Sequence, residues 1–166
     1  MEQKISQFSK VSIKQYEESV DFYNVKSIYQ NIKLPKRATT GSAGYDFYSP
    51  QAFTLAPSET IKIATGIRVK MEEGWVLFML PRSGHGFKFR IQLDNTVGVI
   101  DSDYYYSDNE GHIMLKFTND GKNGKTMSVQ VGEAIAQGVF LPFGITMDDN
   151  ATETRNGGFG STSKSK

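Results

Sequence analysis

Between Phe53 and Leu141 the chain never runs far without a break. Short apolar or alternating segments follow one another, each closed within a few residues by Gly, Pro or a polar turn. Residues 60–64 and 67–71 alternate apolar with polar side chains, the pattern of half-buried strands. Residues 75–80 are almost wholly apolar, which fits a central strand covered on both faces, and Pro81-Arg82-Ser83-Gly84-His85-Gly86 ends it. Residues 113–118, 127–131 and 135–141 read as further strands, and residues 120–125 as a hairpin loop. Nothing after residue 24 has helical spacing. Short strands of this kind bury their apolar faces only by stacking or closing, so the expected fold is all-β, a jelly-roll-like β barrel.

The flanks are less regular. Residues 1–24 are polar with scattered apolar positions, and 12–23 have the makings of a short helix. Residues 25–33 are expected to form a first strand closed by Leu34-Pro35, and 36–44 a loop. Ala43 to Tyr48 reads as a strand carrying an acid, Asp46. At 166 residues and 18.5 kDa the chain suits one domain with a sizeable core. We expect an N-terminal extension over 1–24, the β domain over 25–146 and an arm over 147–166. Lys and Arg number 19 against 18 Asp and Glu, a net charge of +1, which gives no electrostatic case for nucleic acid or a membrane surface. Cysteine is absent, so disulfides and thiolate metal sites are excluded. No apolar run approaches the roughly 20 residues of a membrane span, and the first residues lack a signal-peptide core. The expectation is a cytoplasmic protein with neither nucleic-acid nor membrane partners.

Asn95-Thr96-Val97-Gly98-Val99-Ile100-Asp101-Ser102-Asp103-Tyr104 is the stretch richest in chemistry. β-Branched Val99 and Ile100 favour a strand, and an acid follows them at once. Asp101 there either ends the strand by bonding its own backbone or waits at the core's edge as a base. The tail offers a similar choice. Its glycines suit a linker, while Arg155 and Phe159 suit an arm that orders on a ligand.

Five stretches, in order, resemble the motifs of the trimeric dUTPase family. They are Ala43-Gly44-Tyr45-Asp46, Pro81-Arg82-Ser83-Gly84, Asn95 through Tyr104, Gly132-Glu133-Ala134-Ile135-Ala136-Gln137, and Arg155 through Thr162. They span about three quarters of the chain. The resemblance implies hydrolysis of dUTP to dUMP and pyrophosphate, with Mg²⁺, in a homotrimer whose sites draw on three subunits. It implies Asp101 as general base, and Asn95 with the adjoining backbone of Gly98, Val99 and Ile100 as readers of the uracil edge. Met114 joins the substrate contacts, and Tyr104 packs under the deoxyribose. Arg82, Ser83, Gly84 and Gln137 would meet phosphates, and Asp46 would hold Mg²⁺ through water. Phe159 would stack on uracil, with Arg155, Gly160, Ser161 and Thr162 around the phosphates. These residue types suit that chemistry, since a triphosphate brings about four negative charges and catalysis there is mostly positioning and charge stabilisation.

The sequence departs from the family pattern at several points. Tyr105 to Glu110 lengthen the turn after Tyr104, and this segment is a candidate surface for a protein partner. Ala134 stands where relatives have Arg, Arg155 lies one residue closer to Phe159, and Ser163 replaces Gly. Asp103 is expected to be structural. His85 and His112 are expected to be plain surface residues, since no partnered acids stand at ligand spacing. Two alternatives remain: a dCTP deaminase on the same fold, or a dUTPase that also acts as a phage-type regulator binding a repressor.

Overall fold

A computed structural model describes residues 3–21, 23–155 and 157. Among these, twelve strands, three short α-helices and a 3₁₀ helix follow in order. The strands are β1 (Ser6–Lys10), β2 (Lys36–Arg37), β3 (Tyr45–Tyr48), β4 (Phe53–Leu55), β5 (Thr60–Ala64), β6 (Ile67–Met71), β7 (Trp75–Pro81), β8 (Ile91–Leu93), β9 (Gly98–Ile100), β10 (Met114–Asn119), β11 (Met127–Val129) and β12 (Ala134–Pro142). The helices are α1 (Ile13–Glu17), α2 (Val25–Asn31) and α3 (Ser83–Phe89), and the 3₁₀ helix is Ser102–Tyr106.

Every strand pairing among the described residues is antiparallel. The largest sheet has the order β2-β3-β12-β7-β9, a second is β5-β10-β8, and β1-β6 and β11-β4 form two ribbons. This is a jelly-roll-like arrangement. The expected barrel does not close among the described residues, because the strands divide into these four separate sheets. Their apolar faces meet in one core containing Phe47, Leu55, Ile63, Leu77, Phe117 and Ile135. As its apolar sequence requires, β7 is central, paired with β12 on one side and β9 on the other.

Three expectations are corrected. Residues 25–31 form a helix, not a strand, because Val25, Ile28, Tyr29 and Ile32 recur at helical spacing and turn one face to the core. Residues 83–89, expected only to break β7, wind into α3 despite two glycines, and Phe89 anchors its end in the core. His112, expected at the surface, is wholly buried. Its Nε2 accepts from the Gly66 amide at 2.8 Å, and Nδ1 lies 3.2 Å from the Ser19 hydroxyl. Burial pushes its pKa down to about 4, so the ring is neutral, as an acceptor for a backbone N–H must be.

The first residues are built into this core. β1 pairs along all of β6, and Val11 and Tyr16 are buried. Ser12 caps α1 by accepting from the Gln15 amide at 3.1 Å. The Glu110 carboxylate, from the lengthened turn, accepts from the Ser12 hydroxyl at 2.6 Å and from its amide at 2.7 Å. Burial alone would raise the Glu110 pKa, but these bonds outweigh it and hold the group below its ordinary value.

Candidate active site

β7 lies in the middle of the site because both of its flanking sheet edges carry motif residues. On one side β9 pairs Gly98 with Met79 and Ile100 with Leu77, so the chain emerges from the sheet at Asp101. The 3₁₀ helix then folds Tyr104 inward, where it is almost fully buried. Its hydroxyl donates to the His112 carbonyl at 2.8 Å and accepts from Asn109 Nδ2 at 2.8 Å, and burial raises its pKa. A cavity of about 370 Å³ opens between these elements and β10. Asn95, Gly98, Val99, Ile100, Asp101, Tyr104, Met114 and Arg155 all line it.

Asp101 has extended backbone and precedes the 3₁₀ helix, yet its side chain makes no capping bond. The local turn therefore leaves the carboxylate unused. It is engaged instead by Arg155, whose Nη2 donates to Asp101 Oδ2 at 2.5 Å and whose Nε donates to Asp103 Oδ1 at 2.8 Å. Gly98 is tightly packed against the neighbouring strand: a Cβ there would stand 2.9 Å from Met79 Cβ. Its missing side chain lets β9 close on β7.

On the other side of β7, a bulge at Ile135 shifts the β12 register and sets Gln137 opposite Asp46 of β3 and Leu80 of β7. A second cavity of about 410 Å³ is lined by Gly44, Asp46, Arg82, Ser83 and Gln137. Arg82 Nε lies 3.4 Å from Asp46 Oδ1, and Gln137 Nε2 donates to the Pro81 carbonyl at 3.3 Å. Gly84 lies beyond it, exposed in α3. The candidate residues thus fall into two groups on one chain. Phe159, Gly160, Ser161 and Thr162 lie outside the described residues.

Sequence reasoning missed Asp94 and Lys116, which also line the first cavity. Asp94 accepts from the Thr118 hydroxyl at 2.5 Å and pairs with Lys116 at 2.9 Å. These two partners hold its pKa below the ordinary carboxylate value. Asp103 was also missed as a partner of Arg155. The signal for both was an acid beside a motif acid or amide.

Fold and site define a jelly-roll-like β protein with an acid-rimmed pocket walled by strand backbone. The chain belongs to the dUTPase family, whose model matches residues 30–163. It is 41% identical over 145 residues to the deoxyuridine 5'-triphosphate nucleotidohydrolase of Lactococcus lactis subsp. lactis, covering 84% of this chain and 95% of that protein. The crystal structure of dUTPase from Streptococcus mutans matches with a TM-score of 0.65 at 34% identity, over 84% of this chain and 97% of that one. A mutant dUTPase from phage phi11 of S. aureus, described with a coordinated structural Mg(II) ion, shares the fold with a TM-score of 0.65 at 21% identity. It matches 90% of this chain and 98% of its own. The chain is accordingly a dUTP diphosphatase. None of the helices among the described residues is long and apolar enough to cross a membrane.

Proposed function

We propose that the protein cleaves dUTP to dUMP and pyrophosphate by water attack on the α-phosphorus, with Asp101 taking the water's proton. The observation that supports this most is the place of Asp101: at the mouth of the first cavity, side chain unused by its own turn, beside Tyr104 and the β9 backbone. A carboxylate in reach of a bound water serves as general base near neutral pH. Tyr104 presents its ring to the cavity while its hydroxyl is committed to His112 and Asn109, which suits packing against a deoxyribose. Asn95 is exposed at the rim and offers both donor and acceptor to a uracil edge.

Asp46, Ser83 and Gln137 give the second cavity oxygen donors, and Arg82 gives it a cation. That set suits phosphate together with a hard cation held largely by phosphate and water oxygens, with Asp46 reaching it through water. Mg²⁺ bound there would neutralise charge on the phosphates. Two complementary half-sites on one chain support a homotrimer in which neighbours complete each site. Arg155 and the arm beyond it would close on the phosphates. The absence of cysteine is compatible with a cytoplasmic setting.

Products decide the reaction. Incubation with dUTP and Mg²⁺ is expected to release pyrophosphate, and incubation with dCTP no ammonia. Asp101→Asn should retain nucleotide binding and lose about 10²- to 10⁴-fold in turnover. Turnover within about threefold of the parent would remove Asp101 from the role.

A further inference from the structure

Tyr104 stands in a 3₁₀ helix of five residues, a form whose hydrogen-bond geometry is poorer than that of an α-helix. What fixes its ring is the hydroxyl at the far end. That oxygen accepts from Asn109 Nδ2 at 2.8 Å, and its hydrogen goes to the His112 carbonyl, also at 2.8 Å. The direction of the half-buried Asn109 amide is not free. Its Oδ1 accepts from the Gly111 amide at 3.1 Å, and a backbone N–H can only donate, so Nδ2 must face the tyrosine. His112 is anchored in the core through its ring, and the next amide, that of Ile113, donates to the Ile67 carbonyl at 2.9 Å. Both partners of the hydroxyl are therefore held in place themselves.

The turn that carries Asn109 is drawn shut. Gly111 has φ +70°, and a Cβ there would lie 2.7 Å from the Tyr104 carbonyl oxygen. Glu110 beside it holds φ +57°, a left-handed conformation that costs stability in a residue with a side chain. Its carboxylate offsets that cost by accepting from the Ser12 amide and hydroxyl, so a segment outside the family-matched residues 30–163 clamps the turn. We propose that Asn109 is a positioning residue for sugar discrimination: the lengthened turn brings its amide to the Tyr104 hydroxyl and so holds the ring against the sugar of the bound nucleotide. The proposal rests on Tyr104, which lines the first cavity, packing against the deoxyribose. Excluding a 2′-hydroxyl is a steric matter, and a ring free to shift by about 1 Å loses that precision. A ring held at its far end by two bonds in different directions cannot swing. Without Asn109 the hydroxyl keeps only the bond to the His112 carbonyl, about which the ring can tilt.

The readout is kcat/KM for dUTP divided by kcat/KM for UTP, measured on the full chain with Mg²⁺. Asn109→Ala is expected to lower that ratio about fivefold, the size of one net hydrogen bond, chiefly by raising kcat/KM for UTP. A thermal midpoint accompanies each value, because Asn109→Ala also frees the Gly111 amide. A merely structural role would lower the midpoint without moving the ratio. Tyr104→Phe keeps the ring and loses the tether, so it should lower the ratio similarly. Asn109→Ala added to Tyr104→Phe should change it no further, since both act through one bond. A ratio within about twofold of the parent in Asn109→Ala, or effects of the two substitutions that multiply, overturns the proposal. A parental ratio in Tyr104→Phe overturns it too, whether or not Asn109→Ala folds. Tyr104→Leu tests the premise. A parental ratio there would remove the sugar contact and the proposal with it, whereas a collapsed ratio there beside a parental one in Asn109→Ala would remove only the role of Asn109.

Discussion

Gly98 and Gly44 are both tight, but for different neighbours. A Cβ at Gly98 would meet Met79 Cβ at 2.9 Å, close to backbone that is held in a sheet. Gly98→Ala is therefore expected to cost about 1–3 kcal/mol of stability, read as a lower urea midpoint, and to weaken dUTP binding. A Cβ at Gly44 would meet Gln137 Oε1 at 2.7 Å, the far end of a flexible side chain. Gly44→Ala should leave the urea midpoint nearly unchanged and raise the KM, because Gln137 must turn aside. Equal midpoint losses in the two variants would contradict this difference. His112 gives the pH dependence. Its folded pKa is about 4, against an ordinary 6.5 in the unfolded chain. As pH falls from 6.5 towards 4 the unfolded chain takes up a proton that the folded chain refuses, so stability declines through that window and is fully present above it. The ceiling is about 3 kcal/mol. Denaturation midpoints at pH 7.5, 5.5 and 4.5 should fall less steeply for His112→Gln than for the parent.

At the scale of elements, the lengthened turn after Tyr104 is a brace. Arg68 lies over the Tyr105 ring, its Cζ 3.6 Å from the centroid, and donates to the Tyr105 carbonyl at 2.6 Å. Glu110, 3.8 Å from Arg68 Nη1, reaches back to the cap of α1. Ser12 thus serves two elements, its oxygen accepting from Gln15 while its hydrogen goes to Glu110. Ser12→Ala is expected to cost about 1–2 kcal/mol, more than an ordinary exposed cap, because it also leaves a carboxylate oxygen without its donor. A thermal midpoint within a degree of the parent would show that the brace contributes nothing. Tyr106 stands edge-on to Tyr105 and is largely exposed, so the braced turn presents one aromatic to solvent.

For the whole molecule, Leu141, Phe143, Ile145 and Met147 recur at every second residue and are exposed on the single chain. Such a row favours cover by another chain, and the two half-sites either side of β7 favour the same. Sedimentation equilibrium is expected to give three times the 18.5 kDa chain mass at micromolar concentration. A stable species of one chain would sink the shared-site mechanism. Truncation after Asn150 removes Arg155 and everything beyond it. The truncated protein is expected to remain folded and bind dUTP but turn over at least about tenfold more slowly, the effect of losing about 1.4 kcal/mol of transition-state stabilisation. Parental turnover would make the tail dispensable.

The sequence by itself determined what is local. Strands at 60–64 and 67–71 were legible because a half-buried strand writes its two faces into alternating residues. The central place of β7 was legible because both its faces are covered. The helix at 25–31 was not read as one: the stretch was expected to be a strand, although Val25, Ile28, Tyr29 and Ile32 recur at helical spacing. The motif residues could be named from their order alone. Their division into two cavities could not, since it depends on β12 and β9 lying on opposite sides of β7. Nor could the grip of Arg155 on residues 52 and 54 positions earlier, or the burial of a histidine between Gly66 and Ser19. Those contacts join segments far apart in the chain. Periodicity carries no information about which distant segment will pack alongside, and only sheet order and register supply it.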